Sequence, residues 1–294
     1  MTQLVQLQQE LPQFQSSGFA LFAISNDTVE RLANFSSQHK ITYPLLSDED
    51  SVVIRHFGIL NQLIRPDEGK HMRWYGIPYP GTFIVDAAGT IVDKDFHQHH
   101  ARRLSGPTLL RRALGTEPQG HQSAPVTCAD TQRLKLEVSL SDPVLKLEVI
   151  TELVIRIRVN EGWHVYAAGA PEAFTPLRID SSGTGLRFGQ ACWPASTPLQ
   201  LPGLDSVVPV FDGEFTVSIP VTATSSLIRL GHEPEQPTTR IDVVCTYQAC
   251  NDAQCEPAVT LEAALVVRLE ELVAPDGLKT YAARAEAGRG NSSS

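Results

Sequence analysis

The sequence predicts two domains of different classes, a layered α/β unit followed by an antiparallel β-sandwich. Its 294 residues suit two domains of about 150 residues each. Up to residue 116 the apolar residues alternate between helical spacing and short continuous runs, whereas from residue 128 they recur at every second position. Residues 117–127 are polar and contain two Pro and one Gly, which is typical of a linker.

The composition is that of a globular protein, with 42% apolar and 19% charged residues. A net charge of −9 argues against nucleic acid as a partner, because phosphate binding needs clustered Lys and Arg. No apolar run approaches the ~18 residues of a membrane helix, so we expect no membrane span. No signal peptide is visible, which leaves bacterial cytoplasm and periplasm both open. No cofactor is predicted.

The α/β unit is expected to begin in an amphipathic helix, because Leu4, Leu7 and Leu11 recur at helical spacing. Pro12 should kink or end this helix. The apolar run 19–24 predicts a strand buried on both faces. The elements that follow imply a mixed sheet: a helix capped by Asn26 or Asp27, a strand over 43–46, a helix over 48–57, a strand pair over 82–92 and a helix over 108–114.

Two phrases in this unit, Pro-Leu-Leu-Ser-Asp at 44–48 and Pro-Gly-Thr-Phe-Ile-Val-Asp at 80–86, resemble the alkyl hydroperoxide reductase and thiol-specific antioxidant (AhpC/TSA) branch of the thioredoxin-like fold. The resemblance implies that residues 1–116 form a thioredoxin-like domain that lacks its first core strand. It also implies a catalytic Cys at the start of the first helix, yet no Cys precedes Cys128. We therefore expect the sequence to start downstream of that site, and residues 1–116 to have no thiol peroxidase activity.

Two features of this unit have alternative interpretations. Pro80 resembles the proline that thioredoxin-like proteins hold in cis beside their active-site thiols, and the alternative is an ordinary trans turn. The His-Gln-His-His run at 97–100 offers imidazoles, which are good zinc ligands. Because only Asp93 and Asp95 stand near the run, we interpret it as a solvated segment and predict no metal site.

Beyond the linker, alternating apolar residues predict half-buried strands and a sandwich of immunoglobulin-like kind over residues 128–270. Cys245 belongs to one of these alternating sets, so it is predicted to be a small buried hydrophobic residue. Residues 271–294 form a tail that we expect to be partly disordered. The alternating sets run from Leu134 to Leu140, Leu153 to Val159, Phe215 to Ile219, Ile241 to Tyr247 and Leu261 to Leu269.

Cys250 and Cys255 flank the residues Asn-Asp-Ala-Gln, and Asn251 and Asp252 favour a turn because their side chains bond nearby backbone. A four-residue hairpin loop would place both sulfurs side by side, within reach of a disulfide. Cys245 would lie about 16 Å from Cys250 along an extended strand. A bridge across so short a loop removes little chain entropy, which favours a redox-active disulfide over a structural one.

The run Tyr-Gln-Ala-Cys at 247–250, with the second Cys and a Pro beyond the turn, resembles the redox motif of the N-terminal domain of the disulfide-bond reductase DsbD. The run Glu-Gly-Trp-His-Val-Tyr at 161–166 resembles the same domain. This implies thiol–disulfide exchange between the Cys250 and Cys255 pair and a thioredoxin-like partner. The place of Cys255 in the motif favours it as the attacking thiol, and Cys250 is the alternative. The residues expected to support the pair are Tyr247, Asn251, Asp252 and Pro80.

Two other functions compete with this interpretation. In the first, the protein is a peroxiredoxin-like reductase, and the sandwich relays electrons to a peroxidatic Cys that this sequence lacks. In the second, the sandwich binds a partner through its loops without catalysis, and the disulfide is an inert clip. Immunoglobulin domains carry their disulfide between sheets rather than across a hairpin. The second alternative is therefore less favoured than both the exchange function and the peroxiredoxin-like function.

The remaining aromatic and thiol side chains receive structural interpretations. Trp163, His164 and Tyr166 are interpreted as core and edge packing, with coverage of the disulfide by one of them as the alternative. Cys128 and Cys192 are expected to be two unpaired thiols, with a bridge between them as the alternative.

Overall fold

The computed structural model describes residues 2–64, 75–98, 102–200, 207–224, 226–227 and 238–270. These residues form two compact units that divide at residue 101. The first unit is a mixture of helices and short strands, and the second is built almost entirely of strands.

Within the described residues, the strands of the first unit form two separate two-stranded sheets rather than the mixed sheet that the sequence predicted. β1 pairs in parallel with β2, and β3 pairs antiparallel with β4. The elements in order are α1 (Thr2–Ser16), β1 (Ala23–Ser25), α2 (Val29–His39), β2 (Leu45–Ser47), α3 (Val52–His56), β3 (Gly81–Val85) and β4 (Ile91–Phe96).

The first helix does not end at Pro12 as the sequence suggested, but continues to Ser16. Leu11 and Phe14, on either side of the proline, are both buried. Leu11 packs in a cluster with Ile41 and Tyr43, and the Tyr43 hydroxyl donates a hydrogen bond to the carbonyl oxygen of Leu4 at 2.8 Å. These contacts offset the one backbone hydrogen bond that a proline removes.

The apolar run at 19–24 does not form a strand buried on both faces. Only Ala23–Ser25 is extended and paired, and the side chains of Phe22 and Ile24 are 63% and 38% exposed. Among the described residues β1 has a single neighbouring strand, β2. Burial of both faces requires other elements packed over each face of the strand, which the apolar run alone does not determine.

The helix caps also differ from the predicted ones. Thr28, not Asn26 or Asp27, caps α2, and its side chain accepts a hydrogen bond from the backbone N–H of Arg31 at 3.3 Å. The third helix begins at Val52 rather than Asp48, because the Asp48 carboxylate accepts hydrogen bonds from the first backbone N–H groups of α3. Short polar side chains favour this capping position over the helix interior.

The second unit is a mainly antiparallel sandwich, as the alternating pattern predicted, with parallel pairing of β5 and β8 to their neighbours. One sheet has the order β12-β15-β9-β7-β6 with β5 beside β9, a second has the order β11-β16-β18-β8, and a third has the order β13-β14-β10-β17. The elements are β5 (Arg103–Leu104), α4 (Gly106–Leu114), β6 (Thr127–Asp130), β7 (Leu134–Leu140), β8 (Leu145–Lys146), β9 (Val149–Val159), β10 (His164–Tyr166), β11 (Arg178–Ser182), β12 (Leu186–Phe188), β13 (Thr197–Gln200), β14 (Val207–Asp212), β15 (Glu214–Ala223), β16 (Thr238–Tyr247), β17 (Ala249–Cys250) and β18 (Val259–Glu270).

The core of the sandwich lies between facing strands and contains the predicted alternating residues. Leu136 on β7, Ile155 on β9 and Val243 on β16 are at most 1% exposed and belong to one cluster. Cys245 is a fully buried member of the same cluster, which confirms its predicted position.

Helix α4, which the sequence placed in the first domain, packs in the second unit. The Arg111 guanidinium donates hydrogen bonds to both carboxylate oxygens of Glu152 on β9, at 2.7 and 2.6 Å. Ser105 caps α4 and donates a hydrogen bond to buried Asp142 at 2.8 Å. These buried polar contacts are distant in sequence, so the local pattern of residues 108–114 could not assign the helix to its unit.

The segment 117–127 is also attached to the sandwich. The backbone N–H of His121 donates to the carbonyl oxygen of Leu140 at 2.7 Å. Ala124 is buried in the sandwich core. The polar, proline-containing composition of residues 117–127 resembles that of a free linker. These contacts nevertheless hold the segment against β7.

Candidate functional site

The candidate site is the disulfide between Cys250, at the end of β17, and Cys255. Asn251 forms the turn between them: its backbone N–H donates to the carbonyl oxygen of Gln254 at 2.9 Å. Its side-chain oxygen accepts from the backbone N–H groups of Ala253 and Gln254, each at 2.9 Å. The predicted pairing across a short Asn-centred turn is therefore confirmed.

The two sulfurs of the disulfide have different surroundings. Cys250 is 1% exposed and packs in a small cluster with Tyr166, Val208 and Val210. Cys255 lies on the surface. Of the two cysteines, Cys255 is therefore the more accessible from solvent.

Two aromatic side chains, Tyr166 on β10 and Phe174 in the loop that follows, pack in the cluster that contains Cys250. The Tyr166 hydroxyl is 3.5 Å from Sγ of Cys255, and burial raises the pKa of this hydroxyl. The rings of Tyr166 and Phe174 stack with centroids 4.3 Å apart. The Tyr166 side chain is itself fully buried, so it packs in the core, as the sequence predicted, and contacts the disulfide from there.

His164 lies directly opposite Cys250 in the pairing of β10 with β17. Its ring meets that of Tyr166 edge-on, with centroids 5.4 Å apart. Desolvation lowers the pKa of His164, and the carboxylates of Asp252 and Asp212 act in the opposite direction. Asp252, predicted to support the pair, is an exposed turn residue that acts on this ring through its charge.

The residues flanking the disulfide are held by hydrogen bonds that the sequence motif did not reveal. The Gln248 side chain accepts from the backbone N–H of Thr175 at 2.9 Å and donates to the carbonyl oxygen of Glu256 at 3.1 Å. Arg133 pairs with the Glu256 carboxylate at 2.7 Å and lies 3.9 Å over the Trp163 ring. Phe174 was also missed, although a lone aromatic residue within a Pro- and Gly-containing loop is a signal that could have found it.

Tyr247 and Pro80, both predicted to support the pair, have the following surroundings within their own units. Tyr247 faces the sandwich core, and its hydroxyl is 2.6 Å from the Thr131 hydroxyl. Pro80 precedes β3 in the first unit. Its peptide bond is trans, since no cis bond occurs within the described residues, so the cis alternative is not the one adopted.

The other three thiols have distinct environments. Burial raises the pKa of Cys245 to about 12, which makes this thiol a poor nucleophile. Cys128 and Cys192 are exposed and unpaired, which confirms the prediction of two unpaired thiols over a bridge.

The predicted solvated segment at 97–100 is described only in part. His97 Nε2 lies 2.7 Å from a carboxylate oxygen of Asp95, and His99 and His100 lie outside the described residues. In the described part of the chain, no group of three or more His, Cys, Asp or Glu side chains is placed to hold a metal ion. No helix in that same part is long and apolar enough to cross a membrane.

Two regions of the chain match known families. Residues 1–94 match the AhpC/TSA family, and residues 148–266 match the N-terminal domain of the thiol:disulfide interchange protein DsbD. Each region is therefore similar to the family that its sequence motifs resemble, and the second region consists mostly of strands.

Curated relatives and solved structures add the following similarities. A protein named as a peroxiredoxin in two strains of Mycobacterium tuberculosis is 33% identical over 108 residues, which are 35% of this chain and 61% of that protein. The N-terminal periplasmic domain of ScsB from Proteus mirabilis gives a TM-score of 0.32 at 14% identity, over 52% of this chain and 53% of that chain. The reduced DsbD N-terminal domain of Neisseria meningitidis gives a TM-score of 0.25 at 15% identity, over 51% of this chain and 92% of that chain.

Proposed function

We propose that the second unit is a thiol–disulfide oxidoreductase module that exchanges electrons with a thioredoxin-like partner through Cys250 and Cys255. The observation that carries the proposal is the unequal exposure of the two disulfide-bonded residues, with Cys255 on the surface and Cys250 buried. The match to a DsbD N-terminal domain over residues 148–266 supports it.

The exchange proceeds in two substitutions at sulfur. A thiolate of the reduced partner attacks Sγ of Cys255, the bond to Cys250 breaks, and Cys250 leaves with the electron pair as a thiolate. The second thiolate of the partner then attacks the partner's own sulfur in the mixed disulfide and releases Cys255. The partner ends as a disulfide and the module as a dithiol; the reverse sequence reduces an oxidised partner.

A purely structural disulfide has less support. The bridge closes a loop with a sequence separation of 5, and short loops gain least from cross-linking. The sandwich also has an extensive core that does not include either sulfur.

The match of residues 1–94 to the AhpC/TSA family favours a second candidate, a peroxiredoxin-like antioxidant system. Residues 1–127 contain no Cys, so in this case the Cys250 and Cys255 dithiol would supply electrons to a peroxidatic Cys outside these residues. This candidate predicts that the chain itself consumes no peroxide. Peroxide consumption that depends on Cys250 would contradict it.

The proposal is tested by mixing the oxidised protein with a reduced thioredoxin-like protein and identifying the alkylated cysteines by mass spectrometry. For the single-cysteine variants the thioredoxin-like protein is supplied with its attacking Cys as a mixed disulfide with thionitrobenzoate. Cys250→Ser should then displace thionitrobenzoate and trap a mixed disulfide through Cys255, whereas Cys255→Ser should trap none at this site. Cys192→Ser is the matched control, since Cys192 is exposed and unpaired, and it should exchange normally. A disulfide that is reduced only after the domain unfolds would overturn the proposal in favour of a structural clip.

A further inference from the structure

His164 is a buried polar side chain whose partner is missing from the oxidised site. It is 7% exposed, and within the described residues its Nε2 has no hydrogen-bond partner. Buried polar atoms in folded proteins are nearly always hydrogen-bonded, so an orphaned one calls for a specific explanation. A nitrogen that can carry or accept a proton beside a disulfide suggests that its partner appears when the disulfide opens.

The strand register places His164 beside the sulfur that leaves during reduction. His164 is paired with Cys250, and the next pair is Val165 with Ala249. Residues directly opposite each other on antiparallel strands point to the same face, with Cβ atoms about 4.5–5.5 Å apart. Val165 and Ala249 point to the sandwich core, so His164 and Cys250 share the other face, where the Tyr166 hydroxyl reaches Cys255.

The charged and titratable groups around the imidazole come from each neighbouring element. Asp212 is paired with His164 across from β14, Asp252 acts from the turn, and Tyr166 lies on the same strand. Cys250 approaches from β17. The two carboxylates favour a positive charge on the ring, and burial opposes it, so one additional negative group could change its protonation.

On the basis of the function proposed above, we propose that His164 is the proton partner of Cys250. In the oxidised protein Cys250 carries no proton and Nε2 stays unpaired. After the partner thiolate attacks Cys255, Cys250 leaves with the electron pair of the broken bond, and the proton taken up rests on the ring as an imidazolium paired with the Cys250 thiolate. In the reverse direction that thiolate attacks Cys255 in the mixed disulfide, the partner leaves as a thiolate, and the proton returns to solvent.

A packing role for His164 would leave its titration independent of the disulfide, which separates the two interpretations. The titration midpoint of each His in the full chain can be followed by NMR, in the oxidised protein and after reduction with dithiothreitol. His164 is assigned by the signal lost in His164→Phe. We expect its midpoint to rise by roughly one unit or more on reduction, because a neighbouring opposite charge favours the charged form. His121, on the segment before β6, serves as an internal control and should not move.

Thiolate absorbance of the reduced protein gives a second, independent readout. In a Cys255→Ser, Cys128→Ser, Cys192→Ser background, the Cys250 thiolate should form at lower pH with His164 than with His164→Phe. In a chain that retains both Cys250 and Cys255, His164→Phe should slow closure of a mixed disulfide at Cys255 on the order of a hundredfold, the scale of acid–base catalysis. If His164→Phe does not fold, His164→Gln and the NMR comparison on the unmodified protein still decide the question.

The outcomes separate this inference from the function on which it rests. A His164 midpoint that is unchanged or lowered on reduction overturns the proton partnership, even where exchange with a thioredoxin-like protein occurs. A midpoint that rises on reduction supports the partnership, even where no thioredoxin-like protein reacts, and in that case only the proposed function fails.

Discussion

β1 in the first unit and β9 in the second contain isoleucines in comparable strand positions, but their burial is very different. Ile24 on β1 is 38% exposed, whereas Ile155 on β9 is fully buried. β9 is paired on both sides, with β15 and β7, and among the described strands β1 pairs with β2 alone. An apolar run thus predicts a capacity for burial, and the neighbouring strands decide whether that capacity is used.

The largest expected difference between the units is in cooperative unfolding. A fragment of residues 101–270 should unfold in one sharp transition, because its core is continuous across the sheets. A fragment of residues 1–100 should be only marginally stable, since apolar side chains such as Phe22 and Val92 are exposed. Circular dichroism during urea titration measures both. A sharp transition with ordinary stability in the 1–100 fragment would contradict the contrast.

Matched substitutions sharpen the same comparison within the full chain. Ile155→Ala should lower the free energy of unfolding by about 2–5 kcal/mol, because it leaves a cavity in a packed core. Ile24→Ala should cost less than about 1 kcal/mol, since less apolar surface is removed from a buried environment. Equal losses in urea titrations would show that β1 is buried by contacts beyond its pairing with β2.

Helix α4 provides a test of which residues belong to the sandwich. Arg111→Ala should destabilise the sandwich by about 1–3 kcal/mol, because it leaves the Glu152 carboxylate buried without its partner. Arg158→Ala is the control: both members of the Arg158 and Glu214 pair are well exposed, and its loss should cost at most about 1 kcal/mol. A negligible effect of Arg111→Ala would mean that α4 is docked without energetic consequence.

Reduction of the disulfide should have a smaller effect on stability than the core substitution. Opening a loop this short should lower the free energy of unfolding by at most about 2 kcal/mol. The measurement is a urea titration of the full chain with and without dithiothreitol, with Cys250→Ser, Cys255→Ser as the control in which dithiothreitol has no effect. If reduction lowered the free energy of unfolding by more than Ile155→Ala does, the disulfide would be a mainly structural one.

The smallest predicted effect is a pH dependence of the stability of the folded protein, caused by His164. Its folded pKa lies below the ordinary value of about 6.5 because of desolvation. Below that pH the unfolded chain binds a proton before the folded one does, so stability should decline as the pH falls through 6.5. His164→Phe should flatten this part of the profile, measured by thermal unfolding between pH 5 and 8. A profile that His164→Phe leaves unchanged would be the contrary result.

Local chemistry allowed the disulfide to be predicted, whereas its surroundings depend on contacts distant in sequence. Asn251 forms the turn with its own neighbours, and the burial of Cys245 follows from the alternation along β16. His164 and Phe174 reach the site only through the pairing of β10 with β17 and the folding of a loop. The attachment of α4 depends on Glu152, 41 residues from Arg111. Neither hydrophobic periodicity nor turn residues can predict contacts between residues so distant in sequence.

The segment around the disulfide is fastened independently of the bond itself. Glu256 donates its backbone N–H to Ala249, receives the Gln248 amide at its carbonyl, and binds Arg133 through its carboxylate. These hydrogen bonds and this ion pair do not involve either sulfur. We therefore expect the loop to keep its conformation when the disulfide is reduced. A docking protein would then meet the same contours before and after the transfer. Its departure would be governed by the chemistry of the sulfur atoms rather than by a change in the fit of the two surfaces.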